Sequence, residues 1–294
     1  MKLKIAIGIA TAGRRDILTD TVRFLRRQSR LADELLLCPA FQNDVDLDCL
    51  KEFPSPVRVL TGPVGASAQR NLIIRSSTAD VLVFFDDDFL PAEDFLLEVE
   101  RLFIENPMIV VATGNVLADG ATGPGFDHSE GEALLSRLES KPKSLIISNV
   151  FNGYGCNMAV RLAPVRFNNI SFDERLPRYS WLEDVDFSRQ LAIAGDIVKA
   201  TSLEGVHLGT KKAGRSPGKS LGYSQIANRI YIMRKGNMTR RQAIEGNMKN
   251  IFANLWLSLN PEPWIDRRGR LFGNCLALCD WVKGRIDPER ILKF

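Results

Sequence analysis

The first half of the chain alternates short apolar runs with longer amphipathic segments. The apolar runs are Ile5–Ala10, Glu34–Cys38, Pro56–Leu60, Val81–Phe85 and Ile109–Ala112. Runs of aliphatic and aromatic residues without polar alternation predict strands that are buried on both faces of a sheet. Helical spacing lies between them, beginning near Asp16 and again from about Glu93 to Glu105. The alternation predicts an α/β fold with a Rossmann-like, mainly parallel sheet flanked by helices.

The second half departs from this alternation. The glycine-rich segment 118–131 predicts a mobile surface segment. After Gly222 the pattern becomes helical, and Tyr223 and Ile230 fall on one predicted helix face. A last apolar stripe, Leu271–Lys283, leaves two interpretations open: a tail helix packed on the body, or an interfacial membrane helix. The sequence therefore predicts a helical C-terminal extension.

The net charge of +4 hides a strong asymmetry along the chain. From Gly205 onward there are 17 Lys and Arg residues against 6 Asp and Glu residues, whereas the first 204 residues carry 22 against 29. This polarity predicts a basic region that contacts anions, such as a membrane surface or a phosphorylated substrate. The basic region lacks a zinc-finger or RNA-recognition motif, so we expect no nucleic-acid partner.

The cysteines and the hydropathy of the sequence indicate in which cellular compartment the protein works. The five cysteines are odd in number and lack paired CxxC spacing, which argues against a zinc site or a disulfide framework and indicates a reducing environment. No apolar stretch reaches the roughly 18 residues of a spanning helix. We expect a cytoplasmic protein, with association at the inner face of the membrane left open. The GxGxxG and GxxxxGK[ST] motifs do not occur, so dehydrogenase and P-loop ATPase functions lose their main support.

Three consecutive carboxylates, Asp86, Asp87 and Asp88, directly follow the Val81–Phe85 run. Charges at the carboxyl end of a buried strand lie where open α/β sheets bind ligands. Carboxylate oxygens are hard ligands, which suit Mg²⁺ or Mn²⁺ bridging a diphosphate. For the triplet alone, a solvated turn with helix-capping aspartates is the alternative.

A second acidic group, Glu183 and Asp184, follows Trp181. The helix dipole favours carboxylates in a first turn, so a purely structural role is open. The apolar neighbours Trp181 and Phe187 would raise the basicity of Asp184 by partial desolvation, which suits a general base. A metal-binding group and a base are together the minimum for moving a sugar from a nucleotide.

Several segments, in this order, resemble the glycosyltransferases of family 2, which have the GT-A fold. These segments are Thr11–Arg15, Gly65–Asn71, Phe84–Pro91, Gly155–Val160, Phe172–Glu174, Glu183–Phe187 and Gly195. Among them, Phe84–Pro91 resembles the family's DxD segment, and Glu183–Phe187 resembles its ED motif. The ordered match extends over about two-thirds of the chain.

The resemblance implies a role for each matched position. The residues that it assigns to the nucleotide-sugar donor are Thr11, Ala12, Arg14, Arg70, Asn71, Asp86 and Asp87. Asp88 would bind the Mn²⁺ or Mg²⁺ ion that bridges the diphosphate, and His207 is either a further metal ligand or structural. Asp184 would be the catalytic base, with Glu183 positioning the acceptor or the base.

Other positions depart from the family pattern or lie outside it. Asp44 is displaced from the turn that reads the nucleobase in many relatives. The sequence therefore leaves the nucleobase of the donor open, with a UDP-sugar favoured. Tyr154 and Trp181 are candidate acceptor contacts. A basic segment after His207 is either a linker or a lid over the diphosphate. The candidate lid residues are Lys211, Lys212 and Arg215.

The implied function is inverting, metal-dependent transfer of one sugar from a nucleotide diphosphate to a glycan or lipid-linked acceptor, in cell-surface polysaccharide synthesis. Residues 1–112 would then bind the nucleotide-sugar, residues 113–222 the acceptor, and residues 223–294 form the basic helical extension. One alternative is a sugar-phosphate nucleotidyltransferase, although Thr11–Arg15 only partly supplies the first loop that would grip a nucleoside triphosphate. The other is a non-catalytic protein that binds sugar nucleotides or glycans.

Overall fold

The computed structural model describes residues 2–139, 141–211 and 217–294. Within these ranges, nine strands form one sheet that is flanked by helices. The strands are β1 (Ile5–Thr11), β2 (Glu34–Pro39), β3 (Val57–Val59), β4 (Val81–Asp86), β5 (Phe89–Pro91), β6 (Ile109–Asp119), β7 (Ile147–Asn149), β8 (Asn157–Arg161) and β9 (Asp196–His207). The helices are α1 (Arg15–Leu25), α2 (Leu47–Leu50), α3 (Ala66–Ser76), α4 (Phe95–Glu105), α5 (His128–Leu138), α6 (Leu162–Phe167), α7 (Glu183–Leu191), α8 (Gly218–Arg234), α9 (Arg240–Leu257) and α10 (Arg267–Val282).

The strands lie in the order β3-β2-β1-β4-β8-β6-β9-β5, and β7 also pairs with β9. β1 is parallel to β2 and β4, and β2 is parallel to β3. Beyond β4 the sheet is mixed, because β8 runs antiparallel to both β4 and β6, whereas β6 and β9 are parallel. The predicted class, an α/β fold with a helical C-terminal part, is confirmed. The alternation of elements predicted a mainly parallel sheet and did not indicate the antiparallel pairings of β8 with β4 and β6 and of β5 and β7 with β9.

β1 and β4 are buried on both faces, as their apolar sequences predict. In β4, Val83 and Phe85 belong to one core cluster, whereas Leu82 and Phe84 belong to the cluster on the other face. Because successive side chains of a strand point to opposite faces, helices on both sides of the sheet are needed to cover them. The parallel register pairs Ala10 with Asp86, which places the loop after β1 beside the acidic triplet.

The glycine-rich segment 118–131 is partly ordered against β9. β6 continues to Asp119, and a short 3₁₀ turn follows at Gly120–Thr122. A Cβ on Gly120 would lie 2.0 Å from the carbonyl oxygen of Leu208. Glycine here permits two backbones to approach closely, so the start of the predicted surface segment packs against Leu208, the residue that follows β9.

The C-terminal helices α8 and α10 pack against each other. Tyr223 of α8 and Ala277 of α10 share a core cluster, so the predicted apolar face of α8 is confirmed as buried. The stripe predicted within Leu271–Lys283 is not the packed face, because Phe272 and Val282 are exposed. α10 instead turns small residues toward α8, where a Cβ on Gly273 would lie 2.2 Å from the carbonyl oxygen of Lys219.

Polar contacts tie α8 to the body of the protein. Asn228 Nδ2 donates to the carbonyl oxygen of Trp181 at 2.7 Å, just before α7. Lys235, which follows α8, contacts Asp173 and Asp186 at 2.6 Å each. The predicted boundaries after residues 112 and 222 fall inside β6 and α8, so the three regions share structural elements. Within the described residues, no helix combines the length and hydrophobicity that crossing a bilayer requires.

Candidate active site at the carboxyl ends of the strands

A cavity of about 610 Å³ opens at the carboxyl ends of β1 and β4. The start of α3, the loop before β8 and the start of α7 complete its walls. The residues of the predicted site that line it are Thr11, Ala12, Arg14, Arg70, Asp86, Asp87, Tyr154, Trp181, Glu183 and Asp184. The fold therefore brings the two acidic groups, which lie far apart in the sequence, to one cavity.

Within the acidic triplet, Asp87 binds the loop after β1 through both of its carboxylate oxygens. Its Oδ2 accepts a hydrogen bond from Thr11 Oγ1 at 2.6 Å, and its Oδ1 accepts one from Arg14 Nη1 at 2.8 Å. Burial raises the pKa of Asp87 above its usual range, although the Arg14 guanidinium opposes the shift. Because both oxygens have protein partners, Asp87 holds the first loop against the triplet.

The other two aspartates of the triplet meet His207. Asp86, Asp88 and His207 each present a ligand atom, and these atoms all lie within 4.8 Å of one another. His207 Nε2 is 3.3 Å from Asp88 Oδ1 and 3.9 Å from Asp86 Oδ2. β9 delivers His207 to the triplet because its last residues pair with β5, which puts His207 opposite Phe89.

Asp119 contacts Nδ1 of His207, the ring nitrogen that does not face Asp88. His207 Nδ1 lies 2.9 Å from Asp119 Oδ1, and the Tyr154 hydroxyl donates to Asp119 Oδ2 at 3.1 Å. Burial disfavours the imidazolium, but the contacts of the ring nitrogens with the carboxylates of Asp119 and Asp88 outweigh this effect and raise the pKa of His207 to about 10. Sequence reasoning did not single out Asp119, whose role depends on the parallel pairing that sets Asp119 opposite His207.

The donor set of this cluster fits a divalent cation. Asp88 Oδ1 is buried, and its contact with His207 Nε2 at 3.3 Å lacks hydrogen-bond geometry, so no residue that the structure describes donates to it in a regular hydrogen bond. The other oxygen of Asp88, Oδ2, is satisfied by the Thr210 N–H at 2.9 Å. A buried carboxylate oxygen with no donor is costly unless a cation occupies the position beside it. Two carboxylates and an imidazole are ligands that Mn²⁺ and Mg²⁺ sites use, and Asp119 supplies the second contact that orients a ligating histidine.

Arg70 links the metal-ligand candidates to the second acidic group. Its Nη2 donates to Asp86 Oδ1 at 3.0 Å, and its Nη1 contacts Glu183 Oε1. Burial raises the pKa of Glu183 above its usual range, and the Arg70 charge opposes the shift. The guanidinium lies near the rings of Phe84 and Phe172, so it is fixed from several directions. Glu183 is therefore an ion-pair partner of Arg70.

Asp184 lines the cavity with a carboxylate that is held by backbone groups. Its Oδ2 accepts from the Gly155 N–H at 3.1 Å, and its Oδ1 accepts from the Val185 N–H at 2.8 Å. Burial raises the pKa of Asp184, and the Arg70 charge and these hydrogen bonds oppose the shift. A fixed carboxylate of raised basicity at a cavity wall is able to accept a proton from a bound hydroxyl group.

The chain enters α7 through a strained segment. Arg178, Ser180 and Leu182 have φ values of +60°, +54° and +71°, in the left-handed region that non-glycine residues rarely adopt. The start of α3 holds this segment, since Ala66 N–H donates to the Arg178 carbonyl and Ser67 N–H to Ser180 Oγ. Such conformations cluster at functional sites, where the surrounding contacts maintain them. Here they place the acidic pair at the cavity.

Two predicted donor contacts lie outside the cavity lining. The Asn71 side chain donates to the Phe172 carbonyl oxygen and to Glu174 Oε1, both at 2.9 Å, so it braces the segment that leads to α7. Asp44 is buried and accepts a hydrogen bond from the Phe41 N–H at 3.0 Å, which caps a short 3₁₀ turn. The structure does not bring either side chain to the cavity.

The basic segment after His207 is described only in part. Lys211 Nζ donates to the carbonyl oxygens of Gly120 and Ala121 at 3.2 and 2.8 Å, which holds this residue on the turn after β6. Lys212 and Arg215 lie outside the described residues. The segment resumes at Pro217, which lines the cavity.

The sheet order, the two acidic groups and their common cavity define a GT-A-type protein. The model of the family described as glycosyl transferase family 2 matches residues 6–166, more than half of the chain, and the chain belongs to this family. Among curated protein sequences, none matches it.

Solved structures share the fold at low sequence identity. The mannosyltransferase PcManGT from Pyrobaculum calidifontis, in complex with GDP-Man and Mn²⁺, is 11% identical with a TM-score of 0.55, over 100% of this chain and 79% of its own. S. aureus TarS 1-349 in complex with UDP-GlcNAc is 15% identical with a TM-score of 0.53, over 98% of this chain and 83% of its own. A longer TarS chain is 16% identical with a TM-score of 0.50, over 88% of this chain, which spans only 44% of that TarS chain. These similarities show the fold.

Proposed function

We propose that the protein is an inverting, metal-dependent glycosyltransferase. It moves one sugar from a nucleoside diphosphate donor, with a UDP-sugar favoured, to a hydroxyl group of a glycan or lipid-linked acceptor. The observation that carries the proposal is Arg70, which joins Asp86 of the metal-ligand cluster to Glu183 beside Asp184. A donor-binding group and a base are thereby fixed to each other at one cavity.

The reaction is a single displacement. The acceptor oxygen attacks the anomeric carbon, the bond from that carbon to the diphosphate oxygen breaks, and Asp184 takes the hydroxyl proton. Attack opposite to the leaving group inverts the anomeric configuration. The raised basicity of Asp184 and its two backbone hydrogen bonds support this role.

Asp86, Asp88 and His207 would hold the Mn²⁺ or Mg²⁺ ion, with Asp119 orienting the histidine. When bound, the cation offsets the negative charge that develops on the departing diphosphate. Asp87 keeps Thr11 and Arg14 in place beside this group. Arg14 and Arg70 are the cations of the cavity lining that lie closest to the acidic triplet, and both stay protonated.

Three aromatic residues, Trp181, Tyr179 and Tyr154, support an acceptor side of the cavity. Trp181 lies at the cavity wall, and its buried Nε1 has no hydrogen-bond partner within the described part of the chain. An indole N–H of this kind is able to donate to a sugar hydroxyl group, and the ring offers an apolar face for sugar C–H groups. Tyr179 stacks on Trp181 at 6.3 Å between ring centroids, and Tyr154 lies at the cavity on its own loop.

The first test measures thermal unfolding with UDP-, GDP- and dTDP-sugars, each with and without Mn²⁺. Because a ligand that binds only the folded state raises its stability, the true donor raises the midpoint, and Mn²⁺ increases the shift. Absence of a shift with every donor would refute the proposal. A nucleotidyltransferase would instead respond to a nucleoside triphosphate with a sugar phosphate. A non-catalytic sugar-nucleotide binder would give a shift without turnover of any acceptor.

The biological setting is part of the same proposal. A glycan or lipid-linked acceptor places the reaction in cell-surface polysaccharide synthesis, on the cytoplasmic side of the membrane. Turnover assays that compare free oligosaccharides with lipid-linked ones distinguish the two acceptor classes.

A further inference from the structure

Helix α9 buries only small or polar side chains and part of Ile251, and it exposes most of its large apolar side chains. A surface helix normally turns its apolar stripe to the core. In α9 the residues buried against the neighbouring helices are Ala243 and Asn254, whereas large apolar side chains are exposed. The apolar residues that form this exposed surface, which we call the α9 outer face, are Ile244, Met248, Phe252, Leu255, Trp256 and Leu259.

Polar contacts fix this orientation. Asn254 Nδ2 donates to Gln225 Oε1 at 2.9 Å and to Asn274 Oδ1 at 2.8 Å, so the inner side of α9 is held by buried amides of α8 and α10. On the same side, the Arg229 side chain lies close to Gly246, where a Cβ would be 2.5 Å from Arg229 Nε. Rotating α9 to bury its apolar stripe would leave these buried amides unpaired, which is costly.

The α9 outer face is continuous and strongly exposed. Ile244, Met248 and Phe252 recur every four residues, Leu255 continues the same stripe, and Leu259 follows just beyond the end of the helix. Phe252 is 59% exposed, Trp256 77% and Leu259 78%. Five large apolar side chains on one helix face, with Leu259 just beyond the end of the helix, are more than the scattered exposed residues of a monomer surface, and such a face indicates a binding partner.

The charges around this face favour an anionic partner. Arg240, Arg241 and Lys249 are exposed on α9, and Glu245 is the helix's single acidic residue, paired with Arg241 at 2.7 Å. Arg268 of α10 lies beside the end of the helix, where its Nε donates to the Ser258 carbonyl oxygen at 3.3 Å. In a twofold dimer through this face, two surfaces of net positive charge would meet, which disfavours a second copy.

We propose that the α9 outer face binds the surface of an anionic lipid bilayer, with the helix lying in the plane of the interface. An apolar stripe bordered by Lys and Arg, with tryptophan at its edge, is the arrangement that interfacial helices use. This deepens the proposed transfer to a lipid-linked acceptor and places the lipid contact on α9, whereas the sequence left a membrane contact open for the α10 stripe. Vesicle binding is measured without turnover. A protein that fails to bind vesicles can therefore be distinguished from one that fails to transfer sugar.

The test is sedimentation of the full chain with vesicles of phosphatidylcholine containing about one-third phosphatidylglycerol. The triple variant Phe252→Ser, Trp256→Ser, Leu259→Ser is expected to bind at least about tenfold more weakly than the wild type. The matched control is Phe167→Ser with Ile193→Ser, which removes two exposed apolar side chains, 90% and 80% exposed, from the body of the protein. The control should bind like the wild type, and circular dichroism should show the same helix content for all three proteins.

A second variant and a measurement on the wild type complete the design. Arg240→Ser with Lys249→Ser should weaken binding to anionic vesicles, and raising NaCl from about 0.1 M to about 0.5 M should do the same, because it shortens the Debye length. Brominated phospholipids should quench the tryptophan fluorescence of the wild type, which requires no variant. Wild-type protein that stays in the supernatant, or a triple variant that binds undiminished, overturns the proposal. Light scattering that shows a dimer abolished by the triple substitution assigns the face to a second copy and overturns it too.

Discussion

Arg70 donates to Asp86 through Nη2 at 3.0 Å, while its Nη1 contacts Glu183. Asp86 stands at the end of a central strand, and Glu183 begins a helix that the chain reaches much later. A planar guanidinium presents its donors in a fixed fork, which a lysine would not reproduce. One side chain therefore sets the distance between the proposed donor site and the proposed base.

Replacing Arg70 with methionine is expected to destabilise the protein by about 3–5 kcal/mol, because two carboxylates lose the charge that compensates their burial. The control is Arg175→Met, which removes an exposed arginine that pairs with Asp287 and Glu289 and should cost at most about 1 kcal/mol. Urea unfolding of both variants measures the difference. Equal effects for the two would show that the Arg70 bridge is not structurally important.

Asp184→Asn is expected to lower kcat by at least about a hundredfold while the donor-induced shift in Tm stays near that of the wild type, because only the base is removed. The control is Asp186→Asn on the same helix. Asp186 contacts Lys235 and Asn237 at 2.6 and 2.8 Å, so this change should lower stability by about 1–3 kcal/mol and leave most turnover intact. If the two variants lost turnover equally, Asp184 would not be the base.

The pH dependence of turnover should report on Asp184. Burial raises the pKa of Asp184, and the carboxylate is the active form, so kcat/KM is complete above this pKa and falls as the pH drops through it. The midpoint should therefore lie above about 3.9, the ordinary value for aspartate. A pH profile at saturating Mn²⁺ measures it. An unchanged acidic limb in the residual activity of Asp184→Asn would argue for a different titrating group.

The acidic triplet shows what sequence can and cannot predict. Its position at a strand end was predictable, because an uninterrupted apolar run followed by charges has few other interpretations in an α/β protein. The different contacts of its three aspartates were not predictable, because they depend on the tight turn between β4 and β5. That turn directs Asp87 to Thr11 and Arg14 and leaves Asp88 facing His207.

Arg70 and Asn71 illustrate the same limit on a helix. Both belong to one motif, but successive helical residues point about 100° apart, so only one of them reaches the cavity. Arg70 reaches the cavity, whereas Asn71 turns to the backbone of Phe172. Asp119 was missed because its partner His207 comes from a strand that neighbours β6 in the sheet but is distant in the sequence, and local sequence contains no signal of that pairing.

Mn²⁺ binding should depend on the cluster of Asp86, Asp88 and His207 even in the absence of donor. Asp88→Asn should weaken it at least about tenfold, because the carboxylate oxygen that lacks a hydrogen-bond donor is the proposed ligand. Asp119→Asn should weaken it by about tenfold or more through the orientation of His207. Calorimetric titration with MnCl₂ measures both.

Asp87→Asn is the matched control for the metal prediction, since it changes the adjacent aspartate whose oxygens already bind Thr11 and Arg14. Expressed as free energies, its effect on unfolding should be larger than its effect on Mn²⁺ binding. If Asp87→Asn reduced Mn²⁺ affinity as strongly as Asp88→Asn, the loss would reflect the total charge of the triplet, and the three-residue ligand set would be incorrect.

Because α8 and α10 lie so close together, we expect one added methyl group at Gly273 to lower the free energy of unfolding. A Cβ there would lie 2.2 Å from the Lys219 carbonyl oxygen and 2.6 Å from the Tyr223 nitrogen, and backbone atoms cannot move aside as a side chain can. Gly273→Ala should therefore destabilise the protein by about 1–3 kcal/mol, as overpacking does. Gly123→Ala is the control, because a Cβ at Gly123 meets nothing within 4 Å. Chemical unfolding that finds the two variants equally stable would show that α8 and α10 are less closely packed than this contact requires.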